Sequence, residues 1–277
     1  MTRQLERLTE ALLTAAKRAG ADAADAIAVD GVASSIDIRQ GALEQAERAE
    51  GVEMGLRVLV GQRQACVSVS DISDATIAAV AERAVAMARE APQDPWAGLA
   101  DPSQLAQDRD ATALQLCDSA PEVSAAALED DARRAEAAAM AVQGITQVEA
   151  SASQSRRRIH LAASNGFAGG YMRSSRSVSA VAFAGEGSGM ERDWAAEGRI
   201  FATDLPGADE IGTLAAERAL ARLGARKPRT GTFPVLYDER ISAGLIGHLL
   251  GAAAPSPAAP VGCATHWALR FCPSACR

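Results

Sequence analysis

The feature that most restricts how this chain can fold is a change of hydrophobic period that occurs twice. Leu5, Leu8, Leu12, Ala15, Ala16 and Ala19 recur at helical spacing, with Thr2 placed to cap the helix and Gly20 to stop it. Over residues 23–70 the period drops to two, in short alternating runs broken at Asp30-Gly31, Gln40-Gly41, Glu50-Gly51 and Val60-Gly61-Gln62. Glycine at such a break supplies the positive φ of a tight hairpin, so the stretch is expected to be an antiparallel meander. Ser73 then caps a second helix with Ile77, Val80, Ala84, Val85 and Ala88 on one face, ending before Pro92.

The same order returns some 120 residues later. An alanine-rich helix over 122–143 ends at Gly144, alternating runs fill 145–201, and Pro206-Gly207 precedes a helix over 208–223 with Ile211, Leu214, Ala215 and Ala219 inward. Strands grouped between helices, rather than alternating with them, argue against a parallel doubly wound sheet. The expected fold is α+β, with two helix-plus-antiparallel-meander units over 1–224, which read as a possible internal duplication. Residues 92–121 hold four prolines and form a long connection, with Gln93-Asp94-Pro95-Trp96 as its anchor to the body. Residues 232–237 read as a strand and 242–251 as a helix, so 225–254 is expected to be the start of a truncated second domain.

Composition narrows the functions. Acidic residues outnumber basic ones 35 to 28, a net charge of -7, which offers no attraction for nucleic acid or an anionic membrane. No run of about 18 apolar residues occurs, and the N-terminus is charged and amphipathic, so the chain is expected to be soluble and cytoplasmic. Alanine supplies 63 residues and Arg outnumbers Lys 26 to 2, a bias that a GC-rich gene produces. Residues 255–277 hold four of the eleven prolines, three of the five cysteines and none of the 35 acidic residues. An out-of-frame reading of such a gene favours those codons. The tail is therefore expected to be frameshifted and without regular structure, with a genuine short disordered tail as the alternative.

Few residues could carry catalysis. Cys66 and Cys117 are isolated. Cys263, Cys272 and Cys276 crowd the tail beside His266, where a Cys-x3-Cys spacing is too weak to assign a metal; they are expected to be reducible thiols. His160 shares the polar face of its strand with Arg158 and reads as solvated. His248 sits on an apolar helix, where a satisfied core histidine is commoner than a ligand.

Over residues 1–254 the chain resembles the TldD/PmbA family, and its PmbA (TldE) branch more than its TldD branch. The resemblance is carried by Asp94-Pro95-Trp96-Ala97-Gly98-Leu99-Ala100-Asp101, by Ser164-Asn165-Gly166 with Gly170-Tyr171, by Gly189-Met190-Glu191-Arg192-Asp193, and above all by Gly244-Leu245-Ile246-Gly247-His248-Leu249-Leu250-Gly251. It implies a TldD-type subunit that is a zinc peptidase, with His-Glu-x-x-x-His on the helix after the strand. Two imidazoles there hold zinc and a carboxylate takes a proton from its water. Against that motif this chain reads Ala243, Gly244 and, four residues on, His248, so only the last ligand position is kept. The resemblance thus implies a subunit with no catalytic or metal-binding residues of its own, zinc confined to a TldD-type partner, and a peptide substrate. It also implies a C-terminal domain beyond the point where the likeness stops.

Three readings stand at this level: the N-terminal part of a non-catalytic subunit in a TldD/TldE-type metallopeptidase complex, a modulator or binding protein acting through protein contacts, and an inert truncated fragment.

Overall fold

In the computed structural model, which describes residues 2–253, the chain runs α1 (Thr2–Ala19), β1 (Ala23–Arg39), β2 (Ala42–Val60), β3 (Arg63–Val69), α2 (Asp74–Glu90), α3 (Ala125–Met140), β4 (Ile145–Ala163), β5 (Ala168–Ala184), β6 (Glu191–Arg199), α4 (Ala208–Ala221) and α5 (Glu239–Ala253). Two serines fix helix starts. Ser73 Oγ accepts the Thr76 N–H at 3.3 Å and Ser124 Oγ accepts the Ala127 N–H at 3.2 Å, satisfying donors that the first turn leaves free.

The strands form one sheet in the order β3-β2-β1-β4-β5-β6, every neighbour antiparallel. β1 and β4 pair at the centre, from Asp25 opposite Ala163 to Arg39 opposite Glu149. Outward from that pair, each half places its first, second and third strand in the same order. The fold is α+β, and the two helix-plus-meander units are two halves of a shared sheet.

One strand shows how the helices are arranged. Along β1, Ala24, Ala26 and Ala28 are buried with α1 and α2, while Ile36 and Ile38 are buried with α3 and α4. These positions share one parity, so they lie on one face of the sheet. Both helix pairs therefore cover the same face, at opposite ends of the strands. Between them the inward positions are polar, including Ser34, Gln154, Arg156 and Ser174. Small side chains permit close helix contact: Gly212 of α4 sits against the Ala135 carbonyl of α3, where a Cβ would collide with the oxygen.

Three expectations need correction. Asp30-Gly31 and Glu50-Gly51 are not turns. Gly31 and Gly51 face each other in the middle of the β1–β2 ladder, leaving hairpins only at Gln40-Gly41 and Gly61-Gln62. Gly31 serves close approach instead, since a Cβ there would lie 3.0 Å from Arg157 Cγ. Leu214 is exposed, its place on the inner face of α4 taken by Gly212 and Ala216. The segment Gln93-Asp94-Pro95-Trp96 does anchor the connection after α2, through the backbone of Asp94 and not through the Trp96 side chain, which is 64% exposed. Asp94 N–H donates to Gln62 O at 2.6 Å and Asn165 Nδ2 to Ala100 O at 2.9 Å. Residues 232–237 form no strand, because no neighbouring strand among the described residues offers a ladder; Leu236 is 97% exposed.

No helix among the described residues is long and apolar enough to cross a membrane. The expectations for Cys263, His266, Cys272, Cys276 and the tail lie outside the described residues.

Candidate functional site

α5 carries Ala243, Gly244 and His248 on an exposed helix. His248 is exposed, so it is not the core histidine that its apolar neighbours suggested. On a helix, side chains three and four positions apart share a face. Around His248 those positions within α5 are Gly244, Leu245, Gly251 and Ala252, none of which has a metal-ligating side chain. A catalytic zinc needs about three protein ligands and an open position. One imidazole does not meet that requirement, and the described residues contain no group of three or more His, Cys, Asp or Glu able to hold a metal.

The first turn of α5 is tied to the body through Asp193. Arg240 Nη1 donates to Asp193 Oδ1 at 2.8 Å, the Arg240 guanidinium stacks 5.5 Å from the Trp194 ring centroid, and Arg222 Nη1 lies 3.8 Å from Asp193 Oδ2. Burial alone would raise the Asp193 carboxyl. The Arg240 hydrogen bond, the Trp194 N–H and the two guanidinium charges together outweigh it and hold the group below the usual carboxylate range.

A groove of about 710 Å³ opens between α1 and the β4–β5 hairpin, with His160 in its wall. Contrary to the solvated reading, His160 is 8% exposed and its Nδ1 lies 2.9 Å from Thr9 Oγ1. The Thr9 hydroxyl lies 2.9 Å from both Glu6 O and His160 Nδ1, and which of Thr9 and His160 donates to the other is set by the imidazole tautomer. Nε2 is the ring nitrogen without a hydrogen-bond partner among the described residues, and it lies beside the groove. Burial pushes the imidazole below its ordinary value against the opposing charge of Glu6, so the ring is neutral near pH 7. The sequence reading put His160 on a polar, solvated face; the structure puts it on the face that carries Ala150, Ala152 and Ala162, where α1 lies over it.

A second, smaller cavity of about 80 Å³ lies between the helix pairs and is lined by Arg156 and Arg176. Arg156 Nη2 donates to the Asp118 and Ala120 carbonyls and Arg176 Nη2 to Asp131 Oδ2, while the buried Nε of each has no acceptor among the described residues. A cavity of this size has room for ordered water.

The chain was compared with known proteins. Residues 24–88 match the sequence profile of the PmbA/TldA metallopeptidase domain 1, and residues 118–223 that of the PmbA/TldA metallopeptidase central domain. The chain belongs to the PmbA/TldD family. It is 33% identical over 254 residues to the metalloprotease PmbA of Escherichia coli O157:H7, covering 91% of this chain and 56% of that protein. It is 27% identical over 239 residues to a metalloprotease PmbA homologue of Haemophilus influenzae, covering 86% and 52%. It thus spans about half the length of the curated relatives it matches. Among solved structures, a Bacteroides thetaiotaomicron protein described as a candidate modulator of DNA gyrase shares the fold with a TM-score of 0.73 at 23% identity, over 90% of this chain and 56% of that one. TldE from Thermococcus kodakarensis shares it with a TM-score of 0.60 at 14% identity, over 77% and 47%.

Within this PmbA/TldD chain, the residues that carry the family likeness mostly shape the fold. Ser164 Oγ accepts the Ala24 N–H at 3.0 Å, Asn165 reaches the connection at Ala100, and Gly166 takes the positive φ of the β4–β5 turn. Gly170 makes room for His160, and Asp193 receives Arg240.

Proposed function

We propose that this chain is a PmbA/TldE-like, non-catalytic subunit of a TldD/TldE-type metallopeptidase complex that acts in peptide proteolysis or maturation, with residues 1–224 as its N-terminal α+β domain. The observation that carries the reading is α5. Where a zinc peptidase of the family has two histidines and a glutamate, this helix has Ala243, Gly244 and the single imidazole of His248. A helix that cannot hold zinc or activate its water leaves hydrolysis to a TldD-type partner carrying both. The fold shared with TldE supports the same reading. The substrate is a peptide, and the assembly is a cytoplasmic heterodimer.

Size-exclusion chromatography of the chain mixed with a TldD-type homologue tests the pairing. Co-elution at the mass of a one-to-one complex is expected. Separate elution at micromolar concentrations of both proteins would overturn the proposal.

A further inference from the structure

The first half of β5 is an edge. β6 pairs only with residues 176–184, so residues 168–175 have β4 on one side and no described strand on the other. Ser174 fixes which backbone groups point outward, since its N–H donates to Leu116 O at 3.1 Å, away from β4. Strand groups alternate with period two and the β4–β5 register is unbroken here, so Gly170 and Met172 also direct their N–H and C=O outward. Arg109 Nη1 takes the Ala168 carbonyl at 2.8 Å. Between the Arg109 and Leu116 clasps, the outward groups of Gly170 and Met172 have no partner among the described residues, and residues 170–173 are exposed.

This edge borders the His160 groove. Gly170 lies opposite His160, and a Cβ there would sit 3.2 Å from His160 Cδ2 and 2.5 Å from Ile159 O. The absent side chain leaves the Cδ2–Nε2 side of the imidazole open toward the edge. A strand laid along β5 sends alternate side chains inward, beside Nε2 and near Glu6 and Glu10 of α1. The Arg109 and Leu116 clasps bound the free stretch at both ends. A long edge strand of a folded partner cannot lie across them, whereas a short extended peptide fits between.

We propose that an extended peptide adds antiparallel to β5 at Gly170 and Met172, and that the His160 ring carries its proton on Nδ1, toward Thr9, so that one inward side chain of the peptide donates a hydrogen bond to Nε2. That the peptide is a substrate rests on the peptidase-subunit reading above; the edge and the groove belong to this chain alone.

The test uses end-capped, fluorescein-labelled heptapeptides of alternating Val and Thr with Lys, Ser or Leu at the centre, titrated with the full chain and followed by anisotropy. Binding is expected, tighter for Lys and Ser than for Leu. N-methylation of the central residue, whose N–H faces β5, should weaken it about tenfold, and N-methylation of a neighbour, whose N–H faces away, should not. Met172→Pro, which removes one outward donor at an edge that tolerates proline, should weaken it similarly. Because the methylated peptides probe the unaltered chain, the result survives a variant that misfolds. No binding of any peptide up to ~1 mM, or equal binding of both methylated forms, would overturn the proposal. Co-elution of the unaltered chain with a TldD-type homologue separates the two readings: pairing by a chain that binds no peptide refutes the edge site alone, and peptide binding without pairing refutes the complex alone.

Discussion

Thr9 and His160, 151 positions apart, meet at 2.9 Å and join the first helix to the centre of the sheet. Thr9 keeps a partner at Glu6 O without the histidine, whereas Nδ1 of His160 has Thr9 alone among the described residues. Thr9→Val keeps the shape but leaves Nδ1 of His160 buried and unpaired, which costs about 1–3 kcal/mol. Urea unfolding should show that loss, and an unchanged midpoint would argue that water replaces the threonine.

The same histidine makes the fold sensitive to mild acid. Burial, opposed by Glu6, lowers the His160 value in the folded state from the ordinary figure of about 6.5. The unfolded chain therefore takes up the proton first. The contribution to stability is whole above about pH 6.5 and is lost as pH falls through the folded value. Urea midpoints taken between about pH 7.5 and 5 should decline, and His160→Gln should flatten the decline. Asp193, whose value is lowered, gives a contribution that is whole above about pH 4 and is lost only in the separate window below it.

What the sequence revealed and what it concealed follow from the range of the forces involved. Ser73 and the inward face of α2 depend on neighbours within one or two turns, and both were legible. Gly31 and Gly51 were misread because a local rule makes glycine a turn residue, whereas here each is set opposite the other in a long ladder. His160 was misread because its partner lies on α1, and strand alternation says which face a residue takes but not what covers it. The free edge at Gly170 and the role of Arg240 were invisible for the same reason. Residues 232–237 have a strand's composition, but a strand also needs a partner.

Gly212 should be intolerant of any side chain. A Cβ would strike the Ala135 carbonyl, forcing α3 and α4 apart and costing about 1–3 kcal/mol. Gly51 has nothing within 4 Å of a Cβ, so Gly51→Ala serves as the control. Thermal melts of Gly212→Ala and Gly51→Ala should differ clearly. Equal melting temperatures would contradict the close contact between these helices.

Asp193 should govern how firmly α5 is held. Asp193→Asn keeps the size but removes the charge that receives Arg240 and Arg222. Amide hydrogen exchange over residues 239–251 should accelerate while exchange in α3 stays unchanged. Equal acceleration in both would mean that Asp193 supports the whole body rather than the attachment of α5.

The account turns on whether this chain has a zinc peptidase centre of its own, and metal content measured together with peptide cleavage decides that most directly. Purified alone, the chain should hold no stoichiometric zinc on α5 and hydrolyse no peptide, while the pair formed with a TldD-type homologue should cleave with zinc supplied by the homologue. Metal-dependent cleavage by the chain alone, abolished by His248→Ala, would contradict it.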